Sequence, residues 1–187
     1  MKTKSLIILA GLFLFLCTSC SEQHSFTKKI TGDWWPVHAS GSMDNEVFTA
    51  SWDGDLGDHG EIIVVCTSKD NPSLTVKKTV FYPALSFSKD TRKNESVRTV
   101  DLSSRDLKTS NYLKYKVENG TFYMETVSAE GTPTGEFGEG QPYKFLDDNT
   151  LKIGNVTYEA YSYYRKKHQS NSIVEMGGDS DYLPIRY

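Results

Sequence analysis

The strongest constraint on the fold lies at residues 119–120, where Asn-Gly separates two alternating runs, YLKYKVE and TFYMETV. Asn-Gly is the pair best suited to a two-residue hairpin turn, because both residues tolerate a positive φ angle. Such a turn sets Val117 opposite Phe122 and Tyr115 opposite Met124 on one face of the ribbon. The other face pairs Lys114 with Glu125 and Lys116 with Tyr123, so the sequence predicts a half-buried β-hairpin here.

Two further turns predict that the chain continues as a meander. Residues 147–149 (Asp-Asp-Asn) and residues 154–155 (Gly-Asn) separate short runs that we interpret as strands at 143–146, 150–153 and 156–164. A two-residue loop at 154–155 sets Ile153 opposite Val156 and Leu151 opposite Tyr158, again with one apolar face.

The first half of the chain contains further short strand candidates. These lie at residues 30–39, 61–67, 74–82, 84–88 and 97–102, and residues 40–60 and 131–140 are interpreted as turn-rich connections. Eight to ten short strands in roughly 140 residues, joined mostly by hairpins, must hide their edges, and closure into a barrel does so. The predicted fold class is all-β, an antiparallel up-and-down β-barrel of about eight strands.

The N-terminus reads as an export signal. Lys2 and Lys4 precede the apolar segment LIILAGLFLFL at residues 6–16, which is too short to cross a bilayer as a helix. The residues that follow, Leu-Cys-Thr-Ser-Cys at 16–20, resemble the lipobox of bacterial lipoproteins, in which small residues precede a cysteine that is lipidated. Cys20 has small residues at both preceding positions, and the resemblance therefore implies a lipid-bearing Cys20; Cys17 stands where such motifs usually carry an aliphatic residue.

Anchoring would place the protein at the bacterial cell envelope. Several acyl chains, such as palmitate, hold a protein firmly, because each buried CH₂ contributes about 0.8 kcal/mol. Ser21 is not the aspartate that often signals retention at the inner membrane, so the resemblance implies the outer membrane, facing periplasm or medium. The alternative is an ordinary secretory signal with an incidental cysteine.

Charge and cysteine content limit the kinds of partner and the chemistry that the chain can support. The signal carries Lys2 and Lys4 and no acids, so 21 basic residues become 19 against 24 acidic ones, a net charge of about −5. This charge argues against a nucleic-acid partner. Cys66 is left alone at the end of an apolar run and is interpreted as a buried, inert thiol.

Residues 31–38, TGDWWPVH, contain two adjacent tryptophans at the start of the first predicted strand. Gly32-Asp33-Trp34 matches the Gly-x-Trp motif of the lipocalins, and with the upstream signal and the final Tyr-Tyr-Arg the chain resembles lipocalin-like lipoproteins of the bacterial envelope. The resemblance covers residues 28–166. It implies that Trp34 closes one end of the barrel, that Arg165 from the last strand covers it, and that Gly32 permits close backbone approach.

Strand alternation assigns the neighbours of Trp34 to faces. Trp34, Pro36 and His38 are predicted to point inward, with Trp35 and Val37 outward. The alternative is a tryptophan pair in another kind of β-sandwich. The predicted organisation is a signal peptide (1–19), a polar tether (20–29), the barrel (30–166) and a C-terminal tail (167–187).

Motifs for other chemistry are weak. Asp53, Asp55 and Asp58 resemble a calcium loop, but the fifth and twelfth positions lack the required ligands, so we interpret the segment as a solvated turn and predict no metal. The four histidines lack ligand spacing, and we expect no cofactor. Hydrolase, phosphate-loop and dinucleotide motifs do not occur, so we do not expect an enzyme.

Two functional hypotheses remain, and the oligomeric state stays open. In the first, the barrel has an open mouth and binds a small apolar or amphipathic ligand through residues such as Tyr115, Phe122 and Met124. That hypothesis predicts an apolar cavity of at least about 300 Å³. In the second, the barrel is packed solid and contacts a protein or glycan through outward aromatic residues, namely Trp35, Tyr123, Tyr161 and Tyr163.

Overall fold

The computed structural model describes residues 22–88, 96–103 and 107–169. Helix α1 comprises residues 22–30, and a second helix, α2, spans Tyr161–Gln169. The twelve strands between them are β1 (Gly32–Asp44), β2 (Phe48–Asp55), β3 (Glu61–Ser68), β4 (Thr75–Phe81), β5 (Ala84–Phe87), β6 (Ser96–Val100), β7 (Leu113–Glu118), β8 (Thr121–Val127), β9 (Pro133–Phe137), β10 (Gln141–Phe145), β11 (Thr150–Ile153) and β12 (Val156–Ala160).

Eight of these strands close into an antiparallel barrel. Its order is β1-β5-β6-β7-β8-β10-β11-β12, and β12 pairs back onto β1. The barrel strands follow one another in chain order, which makes this an up-and-down barrel. This closed strand order confirms the predicted fold class. Closure removes the free edges that a meander of short strands would otherwise expose.

Strand β1 belongs to two sheets. Its first residues pair with β5 and β12 in the barrel, and from His38 onward it pairs with β2. The register against β12 shifts between Pro36 and His38, so alternation breaks there. Pro36 is fully buried, but the side chain of His38 is 39% exposed. The prediction that His38 points into the barrel is wrong for this reason.

The second sheet, which we call the projecting sheet, is formed by the end of β1 with β2, β3 and β4. Strands β2 and β3 pair at only two positions, Phe48 with Ser68 and Thr49 with Thr67. A small core of Ala50, Val64 and Cys66 is buried within this sheet. Residues 40–60 are therefore largely strand, contrary to the turn-rich prediction, and Cys66 is buried as predicted.

The predicted hairpins have the predicted registers. Asn119 and Gly120 have φ angles of 52° and 74° and join β7 to β8, with Val117 opposite Phe122 and Tyr115 opposite Met124. Across the 154–155 turn, β11 and β12 pair Ile153 with Val156 and Leu151 with Tyr158. Local turn chemistry and strand alternation were sufficient to determine both ribbons.

Two predicted boundaries are wrong. Residues 22–29, assigned to a polar tether, are helical together with Ile30, and Phe26 and Ile30 are buried. The last strand ends at Ala160 and not near residue 164, because α2 begins at Tyr161. In both segments an i, i+3 or i, i+4 apolar spacing exists but covers too few turns to stand out in the sequence.

Candidate functional site

Helix α1 fills the end of the barrel at which β1 begins. The Phe26 side chain projects into the interior and is only 2% exposed. Five aromatic rings surround it at centroid distances of 4.7 Å (Tyr143), 5.7 Å (Phe145), 5.8 Å (Tyr115), 5.9 Å (Phe122) and 6.3 Å (Phe87). These distances lie in the range of favourable aromatic contacts. Phe26 therefore occupies the space that a ligand would need.

Polar contacts fix the first turns of α1 against the β7–β8 hairpin. The Glu22 carboxylate accepts hydrogen bonds from the amides of Asn119 and Gly120, both at 2.8 Å, and from the Tyr143 hydroxyl at 3.0 Å. Burial, followed by the contact with Glu22, raises the pKa of Tyr143 to about 12. The amide of Val117 donates to the Gln23 side chain. The helix is therefore held by directional bonds as well as by burial.

The Gly32-x-Trp34 pair lies where α1 passes into β1. Trp34 is 2% exposed in the barrel core, and its Nε1 donates to the carbonyl of Ile30 at 2.7 Å. The interior position predicted for Trp34 is therefore confirmed. A Cβ on Gly32 would meet nothing within 4 Å, so the prediction that Gly32 permits close backbone approach is wrong. Glycine is favoured at this position because its φ angle is 121°, which other residues rarely adopt.

Arg165 does not lie in the last strand. It is in α2, and its guanidinium lies over the ring of Tyr161, 5.9 Å from the centroid. The predicted position of Arg165 at the end of a strand reaching residue 165 is wrong, because the chain has turned into a helix on the outer wall. The carbonyl of Ile30, on α1, is the group that hydrogen-bonds the Trp34 indole.

Helix α2 covers the outward tryptophan. Trp35 stacks on Tyr161 at 5.2 Å and on Tyr164 at 5.6 Å, with interplanar angles of 30° and 24°. The Tyr164 hydroxyl in turn donates to Asp58 at 3.1 Å. Trp35 and Tyr161 are consequently packed against each other, whereas Tyr163 is 42% exposed. Trp35 and Tyr161 are therefore not available as the outward contact surface that the second hypothesis predicts.

The three predicted ligand-contacting residues do face the interior. Tyr115 and Phe122 are buried in the barrel core, and Met124 packs against it. The rings of Tyr115 and Phe122 both lie against the ring of Phe26. A cavity of about 20 Å³ lies outside the barrel wall, lined by Asp33, Trp35, Ala84, Leu85, Ser86, Val100 and Tyr161. That volume is far below the roughly 300 Å³ of a small-molecule pocket.

His38 forms a small ionic cluster where the two sheets meet. Its Nε2 lies 2.8 Å from Asp53 and its Nδ1 lies 3.0 Å from Asp55, both on β2. These carboxylates raise the pKa of His38, with the hydrogen bond to Asp55 the largest contribution. Because both ring nitrogens face carboxylates, the arrangement fits an imidazolium. Within residues 22–88, 96–103 and 107–169, no group of three or more His, Cys, Asp or Glu side chains is arranged to hold a metal ion.

Comparison of the chain with family models, with curated proteins and with solved structures finds no match in any of the three. No helix in the part of the chain that the structure describes is long and apolar enough to cross a membrane. The class of the protein thus follows from its own geometry: a closed eight-stranded antiparallel barrel, compatible with a lipocalin-like fold, with an additional projecting sheet.

Proposed function

We propose that this protein is a lipid-anchored protein of the bacterial cell envelope whose packed barrel is a rigid base for contacts with another protein. The observation that carries the proposal is the filled interior, in which Phe26 lies among five aromatic rings. A barrel with that interior has lost the space for a ligand but gained a stiff wall. We propose no catalytic role.

The position of α1 supports a defined orientation on the membrane. Cys20 precedes the first described residue of α1 by two positions in the sequence, and a chain of that length can span at most about 7 Å. A lipid on Cys20 would hold this end of the barrel at the outer-membrane surface. Strand β1 begins at this end and runs for 13 residues, about 40 Å, into the projecting sheet. The projecting sheet would then point away from the lipid.

The outer face of the β3–β4 hairpin supports a contact role. Ile63, Val65 and Phe81 are 66%, 50% and 51% exposed, and all three lie on the same face. Exposed apolar residues grouped on a projecting element are typical of protein-binding surfaces. We therefore propose that a partner contacts this aliphatic and phenyl surface, and not Trp35 and Tyr161, which stack on each other.

Binding of a small apolar ligand is the second candidate function. The observation that favours it is the aromatic cage itself, since only two apolar side chains of α1, Phe26 and Ile30, belong to the buried core. If α1 left the barrel, Tyr115, Phe122 and Met124 would line an open end. A ligand would then have to replace the burial of both side chains and the hydrogen bonds of Glu22.

An amphipathic fluorescent probe, anilinonaphthalene sulfonate, distinguishes the two functions. We expect no saturable binding to the unmodified full chain, because Phe26 fills the cage. The Phe26→Ala variant is expected to bind benzene, which matches the lost phenyl ring in size, whereas the unmodified chain is not, since the substitution opens an apolar cavity. Phe137→Ala, which removes the same ring from an exposed position, is the matched control and is expected to behave like the unmodified chain.

Saturable, one-to-one binding by the unmodified chain would contradict the packed-barrel proposal and favour the ligand function. Native mass spectrometry of protein extracted gently from its membrane provides the second measurement. A small molecule retained at one equivalent would again favour the ligand function. If the barrel is packed, we expect the mass of the lipid-modified protein with no additional small molecule.

A further inference from the structure

Two aromatic rings enclose a lysine ammonium on the outer wall of the barrel, where β7, β8 and β9 lie side by side. The Nζ of Lys116 lies 4.8 Å from the ring centroid of Tyr123 and 5.2 Å from that of Phe137. Both distances are within the roughly 6 Å at which a ring face attracts a cation. The Glu118 carboxylate is a third neighbour of the ammonium, at 3.7 Å. We call Tyr123, Phe137 and Glu118 the cation site.

The strand register places both rings on this face. Lys116 lies directly opposite Tyr123 in the β7–β8 pair, and Phe137 lies opposite Glu125, two residues further along β8 and therefore on the same side. A Cβ at Gly140 would overlap the Tyr123 ring, so glycine at this position lets the ring lie close to the backbone. The rings are thus positioned by the backbone around them as well as by Lys116.

The cation site is open to solvent. Phe137 is 39% exposed, and the side chains of Lys116 and Glu118 are 44% and 49% exposed. The ammonium of Lys116 is carried on a flexible four-carbon stem, so it can leave the rings by rotation of its own side chain. A cation from solvent can then reach both ring faces without any change in the backbone.

The chain around the rings is acidic. Residues 133–141, which contain β9 and its connection to β10, read PTGEFGEGQ and carry Glu136 and Glu139 but no basic residue. Both of these glutamates are exposed. Together with Glu118 they surround the rings with negative charge, which attracts cations and repels anions.

The occupant that fits this site best is a weakly hydrated organic cation. A primary ammonium such as that of Lys116 is a compact, strongly hydrated charge and must lose water to approach a ring. A quaternary ammonium group spreads its charge over methyl groups and is recognised by aromatic faces. Lys116 competes with such a group because it is tethered beside the rings, which gives it a high effective concentration.

We infer that Tyr123, Phe137 and Glu118 form a binding site for a soluble small molecule that carries a quaternary ammonium group, and that Lys116 competes for this site. Binding moves the Lys116 ammonium into solvent and involves no covalent step. The inference goes beyond the proposed function and depends neither on the lipid anchor nor on the packed interior of the barrel.

Choline tests the inference, and dimethylbutanol, which has carbon in place of the quaternary nitrogen, is the uncharged control ligand. Binding is measured from the NMR shifts of the β7, β8 and β9 amides, in the full chain purified in a detergent without quaternary ammonium and at constant ionic strength. We expect Lys116→Thr to bind choline about tenfold more tightly than the unmodified chain, because the tethered competitor is gone. Lys114→Thr, which removes one charge from the same face of β7, is the matched control and is expected to leave the affinity nearly unchanged.

Two further variants, Tyr123→Leu and Phe137→Leu, are made in the Lys116→Thr chain. Each removes one ring and keeps apolar volume, and each is expected to weaken choline binding about tenfold. Equal choline affinity in Lys116→Thr and both leucine variants, or no saturable binding by Lys116→Thr, would overturn the inference. Dimethylbutanol binding as tightly as choline would also overturn it, because the site would then not recognise charge. None of these results affects the tests of Phe26.

Discussion

Phe26 places one phenyl ring where five other rings converge, and no other side chain of α1 reaches as many aromatic partners. Its contribution is both apolar burial and edge-to-face contact, for example with Tyr143 at an interplanar angle of 77°. Truncation leaves a cavity that the stiff barrel wall cannot collapse around.

We therefore expect Phe26→Ala to lower the free energy of unfolding by about 3 to 5 kcal/mol. Urea denaturation followed by tryptophan fluorescence measures it. Phe137→Ala, at an exposed position, is expected to stay within about 1 kcal/mol of the unmodified protein. Similar losses for both variants would mean that Phe26 does not carry the packing assigned to it.

His38 makes the junction of the two sheets sensitive to pH. Its pKa is raised by Asp55 and Asp53, so its contribution to stability is complete below the unfolded-state pKa of about 6.5 and is lost as the pH rises through the higher folded-state pKa. The pairs are partly exposed, which limits the contribution to about 1 kcal/mol.

His38→Gln is accordingly expected to lower the melting temperature more at about pH 5.5 than at about pH 8.5. Differential scanning calorimetry at the two pH values measures the difference. The control is His59→Gln, at an exposed position of the β2–β3 connection, which we expect to change the melting temperature equally at both. A larger effect of His38→Gln at the higher pH would refute the assigned sign.

Among the secondary-structure elements, helix α2 packs one face against the outer wall of the barrel. Tyr161 and Tyr164 stack on Trp35, and Lys167 pairs with the buried carboxylate of Glu159 at 2.9 Å. The last turn contains Lys166, Lys167 and His168, and positive charge at this end of a helix interacts favourably with the helix dipole. The helix is thus held to the barrel wall by stacking and one ion pair.

Two neighbouring tyrosines of α2 provide a matched comparison. Tyr161→Ala removes a ring stacked on Trp35 and is expected to reduce stability by about 1 kcal/mol or more. Tyr163→Ala makes the same change at an exposed position and is expected to have little effect. Chemical denaturation of the two variants side by side is the measurement, and a larger loss for Tyr163 would contradict the packing of α2.

At the scale of the whole molecule, the proposed lipid anchor rests on Cys20. We expect Cys20→Ala to move the protein from the membrane fraction to the supernatant, because the acyl chains would have no attachment point. Cys17→Ala, three residues earlier, is the control and should remain with the membrane. Labelling with radioactive palmitate and fractionation measure both, and retention of the label in Cys20→Ala would refute the assignment.

The sequence predicts those parts of the barrel that depend on neighbours in the chain. Residues 119–120 and 154–155 specify tight turns, and the alternation beside them specifies the registers, so both ribbons were predictable. Closure was predictable as well, because a meander of short strands must hide its edges. The interior position of Trp34 followed from the Gly-x-Trp resemblance.

The remaining features depend on tertiary contacts. Phe26 and Ile30 are only two apolar residues among polar ones, and nothing local shows that they enter a barrel. The register shift after Pro36 turns His38 outward, although strict alternation puts it inside. Residues 161–164 fit a strand and a helix equally well, and their stacking on Trp35 decides for the helix.

Strand β1 is shared by the barrel and the projecting sheet, so the two sheets are joined by continuous backbone as well as by side-chain contacts. A force applied to the projecting sheet would be transmitted along the backbone of β1 to the hydrogen bond between Trp34 and Ile30. It would reach α1 there, next to the proposed anchor. Mechanical load on the projecting sheet would therefore be passed through β1 to the end of the barrel that α1 fills.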